Sequence, residues 1–228
     1  MADTFPDTGP APDAAPEFPA APTGDNAGGA GKVLVIACGA LAREILDLTR
    51  LNGWDNLSVA CLPAKLHNTP QHIPDLLRDK IRAKRDGYDR IFVAYADCGT
   101  GGLIDRVVEQ EGATRIGGPH CYSFFTGGAA FDALAEEEIG SFYLTDYLAR
   151  HFETLILDGM GLRKYPQMRD MLFGNYKRLV YLAQTDDADL DRKAEAAAEA
   201  LGLRYERRST GYGELADFLK EAAEQQQA

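Results

Sequence analysis

The chain contains no pair of cysteines at CxxC spacing, no apolar run of membrane-spanning length and no excess of positive charge. Each absence removes a class of function. Without a long apolar run the chain is not expected to enter a membrane. With 35 acidic residues against 24 Lys and Arg, the formal net charge is −11, which opposes wrapping a nucleic-acid backbone or coating an anionic membrane. The 4 cysteines do not form the dense framework of a small secreted domain. The N-terminus has no charged leader followed by an apolar stretch, so no signal peptide is expected and the expected compartment is the reducing cytoplasm. No repeat of fixed period runs through the chain.

Residues 1–30 are rich in Pro, Ala, Gly and Asp, with Phe5 and Phe18 as isolated large apolar residues. Such a composition buries too little surface to offset chain entropy, so a disordered tail is expected. Beyond it the pattern changes at once. Lys32-Val-Leu-Val-Ile-Ala37 suits a central parallel strand, and Leu41, Ile45 and Leu48 trace an apolar helical face. Strand-like runs follow at Leu57–Leu62, Arg90–Tyr95 and Ala113–Gly117, separated by helical patterns over Ile73–Arg85 and from Leu103 to about Gln110. Helical periodicity resumes at Ala129–Glu137 and Phe142–His151. Thr154–Leu157, Leu179–Ala183 and Leu203–Glu206 read as strands, and Leu190–Leu201 and Tyr212–Ala223 as helices. This alternation predicts an α/β fold with a parallel sheet covered by helices on both faces. One large sheet over 31–228 and two Rossmann-like lobes, 31–125 and 126–228, fit equally.

Ligands on parallel sheets bind beyond the carboxyl ends of the strands, and the cysteines recur there. Cys38 follows the first strand, Cys61 ends the second, Cys98 follows the third and Cys121 the fourth. Thiolates converging on one rim can hold an iron–sulfur cluster, zinc or another thiophilic metal, with His67 and His120 as further donors. Gly39, Gly99, Gly101 and Gly102 give backbone access and N–H groups to a bulky cofactor. Cysteine is also a common buried small hydrophobe, so Cys61 equally reads as core filling. The same residues allow metal-free chemistry, with thiols as acid and base or as nucleophile, and with Asp97 and His120 setting the thiol protonation of Cys98 and Cys121.

Tyr95-Ala-Asp-Cys-Gly-Thr-Gly-Gly102 is only loosely like a phosphate-cradling loop. It lacks the Lys-Ser/Thr ending, and no G-x-G-x-x-G follows the first strand. Thr145, Asp146, Gln184 and Thr185 stand at element ends and are candidates to line a cleft from the second half. Asp186 and Asp187 suit helix capping. The Lys80, Arg82, Lys84 and Arg85 face reads as solvated.

Ala37-Cys-Gly-Ala-Leu41, Leu62-Pro-Ala-Lys-Leu-His-Asn68, Ala94-Tyr-Ala-Asp-Cys-Gly-Thr-Gly-Gly102, His120-Cys-Tyr122, Phe142-Tyr-Leu-Thr-Asp146 and Val180-Tyr-Leu-Ala-Gln184 together resemble the uncharacterised family catalogued as domain of unknown function 1638. The likeness runs from Lys32 to Leu219. It implies Cys38, Cys98 and Cys121, with His67 and His120, as the site positions. It also implies an association with corrinoid-dependent methyl transfer and one-carbon metabolism. A three-cysteine cluster with one iron open to a small-molecule substrate would suit a metal-dependent lyase or methyl-transfer-related enzyme, and an accessory protein for a corrinoid methyltransferase is the non-enzymatic alternative. The resemblance further implies that close relatives often have Glu where this chain has Ser123.

Overall fold

The computed structural model describes residues 31–224; the tail expected over 1–30 lies outside them. The first half alternates β1 (Val33–Cys38), α1 (Ala42–Asn52), β2 (Leu57–Leu62), α2 (Ile73–Lys84), β3 (Arg90–Ala94), α3 (Leu103–Gln110) and β4 (Thr114–Arg115). Two helices follow, α4 (Ser123–Thr126) and α5 (Gly128–Glu137). The second half runs β5 (Ser141–Leu144), α6 (Asp146–Phe152), α7 (Met168–Phe173), β6 (Arg178–Ala183), α8 (Ala188–Leu201), β7 (Arg204–Ser209) and α9 (Gly213–Glu224).

The strands form two sheets, ordered β2-β1-β3-β4 and β5-β6-β7, and every pairing is parallel. All of β1 and all of β6 are buried, as expected for central strands covered on both faces. The two-sheet alternative is therefore the one realised.

Two distinct cores accompany the sheets. The first gathers β1, β2 and β3 with Ile45, Leu77, Val107, Phe124 and Phe125. The second gathers Leu144, Phe152, Phe173, Tyr181 and the Ala face of α8. Helix α9 lies in the second half of the sequence, yet its Leu215, Phe218, Leu219 and Ala222 belong to the first core. Helix α9 is amphipathic, and its apolar stripe finds cover against β3, with Phe218 edge-on to Phe92 at 5.5 Å. Asn56 and Arg90 then hold its last turn, donating to the Ala223 and Ala222 carbonyls at 3.0 and 3.1 Å.

Two elements differ from the sequence pattern. Phe142–Leu144 is strand β5 rather than the start of a helix, because it pairs along β6 and its aromatic residues pack on a pleated surface. Thr154–Leu157 is not a strand. It lies in a π-helical continuation of α6, Glu153–Asp158, where no strand pairs with it and none of its residues is buried.

Candidate functional site

In the first sheet the strand order reverses between β1 and β3, which both start crossovers in opposite directions. That switch point opens a crevice at the carboxyl ends of these strands. Cys38 ends β1 beside it, and the turn after β3 carries Cys98. Tyr95 and Ala96 continue the buried run of β3. The chain then turns sharply, with Asp97 N–H donating to the Gly118 carbonyl and Cys98 N–H to the Pro119 carbonyl, both at 3.0 Å. These bonds lay the Asp97-Cys98 turn against the segment that carries His120 and Cys121.

Asp97 shapes this turn. Its carboxylate accepts from the Thr100 hydroxyl at 2.6 Å and from the Gly101 and Gly102 amides at 3.1 and 2.8 Å. The carboxylate is thus directed onto its own turn, and it is a positioning residue for Cys98. The same bonds occupy two of the amides expected to face a cofactor, those of Gly101 and Gly102. Gly99, Gly101 and Gly102 all have positive φ, so their glycines serve the turn conformation. Gly39 serves packing: a Cβ there would stand 3.1 Å from the Leu62 carbonyl oxygen.

Cys98 itself has φ +49. A non-glycine residue in the left-handed region is held there by surrounding structure, and such residues concentrate at functional sites. Its thiol is buried, at 7% exposure. Cys121 acts on the Cys98 sulfur as a hydrogen-bond partner and His67 does the same, with a further electrostatic contribution from His120. Together these outweigh burial and hold the Cys98 thiol well below its ordinary value. Cys121 is pushed the other way by its hydrogen bond to Cys98 and by burial, so of the two thiols Cys98 is the one that ionises more readily. His67 is raised by its bond to Cys98, which favours an imidazolium beside a thiolate. The His67 and His120 rings lie 6.3 Å apart on the exposed side of the pair. Ser123 is buried and donates to the His120 carbonyl at 2.7 Å, which fixes the turn around Cys121. Beneath Cys121, Tyr122 packs on Phe131 and Tyr143 with centroids 6.1 and 5.8 Å apart.

Cys38 stands at the edge of this group. The Tyr95 hydroxyl, buried and without an oxygen or nitrogen partner, faces its sulfur, and burial pushes the thiol up to about 11. Cys61 does not join. It pairs in register with Ala37, and since neighbouring strand residues face opposite sides, it lies across the sheet from Cys38. Burial pushes its thiol up to about 12, and it borders a separate cavity with Pro63, Tyr147 and His151. Among the described residues, no three His, Cys, Asp or Glu side chains are arranged to hold a metal ion.

In the second half, Thr145 caps α6 by accepting from Leu148 N–H. Asp146 is buried and accepts from the Tyr181 hydroxyl, the Gln184 amide and the Thr185 hydroxyl at 2.7, 3.0 and 2.6 Å. Its own amide donates to Gln184 Oε1 at 2.7 Å. This staple joins the loops that follow β5 and β6. Asp187 caps α8. Asp146 and Thr185 border a cavity with Arg43, Glu44, Arg150 and Tyr212. Glu44 is absent from the residues that the sequence pattern singles out, although a signal was present: it falls on the helical face marked by Leu41, Ile45 and Leu48, where an acid must be buried.

Fold and site define a two-sheet parallel α/β protein with a cysteine–histidine group at the switch point of its first sheet. The family described as "Protein of unknown function (DUF1638)" matches residues 61–219, and the chain belongs to that family. No curated protein and no solved structure matches it. Among the described residues no helix is long and apolar enough to cross a membrane.

Proposed function

We propose that the protein is a cysteine-dependent enzyme in which the Cys98 thiolate is the nucleophile toward a small electrophilic substrate. The observation that carries this reading is the Cys98–Cys121–His67 group, with Cys98 held at positive φ at the sheet's switch point. The thiolate attacks, a carbon–sulfur bond forms, and the leaving group departs with a proton from the His67 imidazolium. Exposed imidazoles beside a buried sulfur can then exchange that proton with solvent. Two-thiol acid–base chemistry fits less well, because Cys98 and Cys121 contact each other instead of flanking a substrate carbon. A reducing, cytoplasmic setting belongs to this proposal, as does transfer of a one-carbon group as the candidate reaction.

A second reading is carried by the chemistry of the donor set. Cys98 and Cys121 offer soft sulfurs and His67 and His120 offer imidazoles, a combination suited to zinc. Cys38 as a third thiol would extend it toward an iron–sulfur cluster. The side chains would need to close around the ion, and the protein would then work as a metal enzyme or as an accessory to a corrinoid methyltransferase.

Brief iodoacetamide labelling of anaerobically purified protein, read by peptide mass spectrometry beside metal and sulfide analysis, separates the two. The thiolate reading expects Cys98 to be carbamidomethylated first below neutral pH, with Cys38 and Cys61 unlabelled and no stoichiometric metal. Uniform slow labelling refutes it. Stoichiometric zinc or iron that protects Cys98 and Cys121 from labelling establishes the second reading in its place.

A further inference from the structure

A second site lies away from the thiols, where α1 faces α6 and the loop after β6 across a cavity of about 400 Å³. Glu44 borders this cavity although it is only 3% exposed. Its Oε2 is buried and has no hydrogen-bond partner. A buried polar atom left unsatisfied destabilises the fold, and more so when charged. Folding alone gives no reason to keep one.

The other charged groups at the cavity divide into engaged and unengaged. Asp146 has its three donors from Tyr181, Gln184 and Thr185. Asp186 is paired with Arg207 at 3.0 Å, Asp47 with Arg50 at 4.0 Å, and Asp187 caps α8. Arg43 and Arg150 border the same cavity, and among the described residues neither enters an ion pair. The groups with bonding capacity to spare are therefore one buried carboxyl and two guanidinium groups.

We propose that this cleft binds a small zwitterion carrying a carboxylate and an ammonium group, with Arg43 and Arg150 taking the carboxylate and Glu44 the ammonium. Guanidinium groups bind carboxylates through paired N–H donors, and an ammonium supplies the donor that Glu44 Oε2 lacks. The volume suits a molecule of amino-acid size. The site goes beyond the Cys98 chemistry and does not depend on it. Glu44 is faced by Arg43 and Asp47 from its own helix, by Asp146 and Arg150 from α6, and by Tyr212 from the loop before α9. Burial first, and Asp146 next, push its carboxyl up to about 7. Below that pH it carries a proton, and a bound ammonium expels it.

The test is calorimetric titration of the full chain just below neutral pH with a panel of α- and β-amino acids. Acetate and methylammonium serve as the separated halves, and each titration is run in two buffers of different ionisation enthalpy. At least one amino acid is expected to bind, with proton release, and to bind at least about tenfold more tightly than either half. Glu44→Gln and Arg43→Met are expected to weaken it by about tenfold or more. Arg43 is exposed, so its replacement leaves folding intact. Absence of binding across the panel, acetate binding as tightly as the amino acid, or unchanged affinity in both variants overturns the proposal.

Discussion

Replacing Glu44 with Gln keeps the shape of a buried side chain and removes its titration. Burial is the largest cause of the raised carboxyl, with Asp146 adding to it and the Arg150 guanidinium opposing it. The folded value of about 7 stands above the ordinary glutamate value of 4.5, so the native state favours the neutral form. The stability contributed by that preference is fully present below the unfolded value and is lost as pH rises through the folded one. A tenfold change in proton affinity corresponds to about 1.4 kcal/mol, which gives a loss of about 3 kcal/mol across the window from 4.5 to about 7. The Gln variant has no such loss. Its unfolding free energy, relative to wild type, is therefore expected to rise by about 3 kcal/mol between the two ends of that window. For a chain of this size, that is a change of roughly 6–12 °C in the difference between the two melting temperatures. Urea unfolding of both proteins at several pH values measures it directly, because the other titrating groups are common to both and cancel. Stability curves that stay parallel through the window would refute the reasoning.

Other expectations follow from the same geometry. Cys121→Ala removes the largest cause of the depressed Cys98 thiol, so the labelling rate of Cys98 should fall as pH drops below the ordinary thiol range, whereas in wild type it holds; superimposable pH–rate profiles would contradict this role of Cys121. Asp97→Ala releases the Thr100, Gly101 and Gly102 donors and should destabilise by about 1–2 kcal/mol, slowing Cys98 labelling through loss of the positive-φ turn, with hydrogen exchange of the Gly101 and Gly102 amides as the readout. Arg178, 2% exposed, donates to Glu206 and Ser141, both at 2.8 Å. Arg178→Met strands those partners and should cost about 3–5 kcal/mol in denaturant unfolding; a cost under about 1 kcal/mol would show that the pair is dispensable.

Periodicity and composition identified the alternating α/β plan because β1, β3 and β6 are buried on both faces and carry uninterrupted apolar runs. That signal is local. Phe142–Leu144 escaped it because a short aromatic run fits a helix face or a pleat equally, and only pairing with β6 decides between them. The last helix was legible, but its partner was not: α9 covers the first sheet, a choice made by which apolar surface remains open once the chain has folded past it. At the site, the sequence placed Cys38, Cys98 and Cys121 at strand ends because parallel sheets put such turns on one rim. The apolar neighbours of Cys61 already let it read equally as core filling, and the register that pairs it with Ala37, a property of folding, sets it apart.

By itself, then, the sequence determined a parallel α/β protein with thiols and imidazoles at the carboxyl ends of its first strands, because burial pattern and turn chemistry are written along the chain. Tertiary structure alone decided that Cys121 and His67 lower the Cys98 thiol and that Asp97 serves its own turn. It alone left one oxygen of the buried Glu44 carboxyl, Oε2, without a hydrogen-bond partner beside a cleft. Hydrogen bonding and desolvation depend on distances between residues far apart in sequence, and only folding sets those distances.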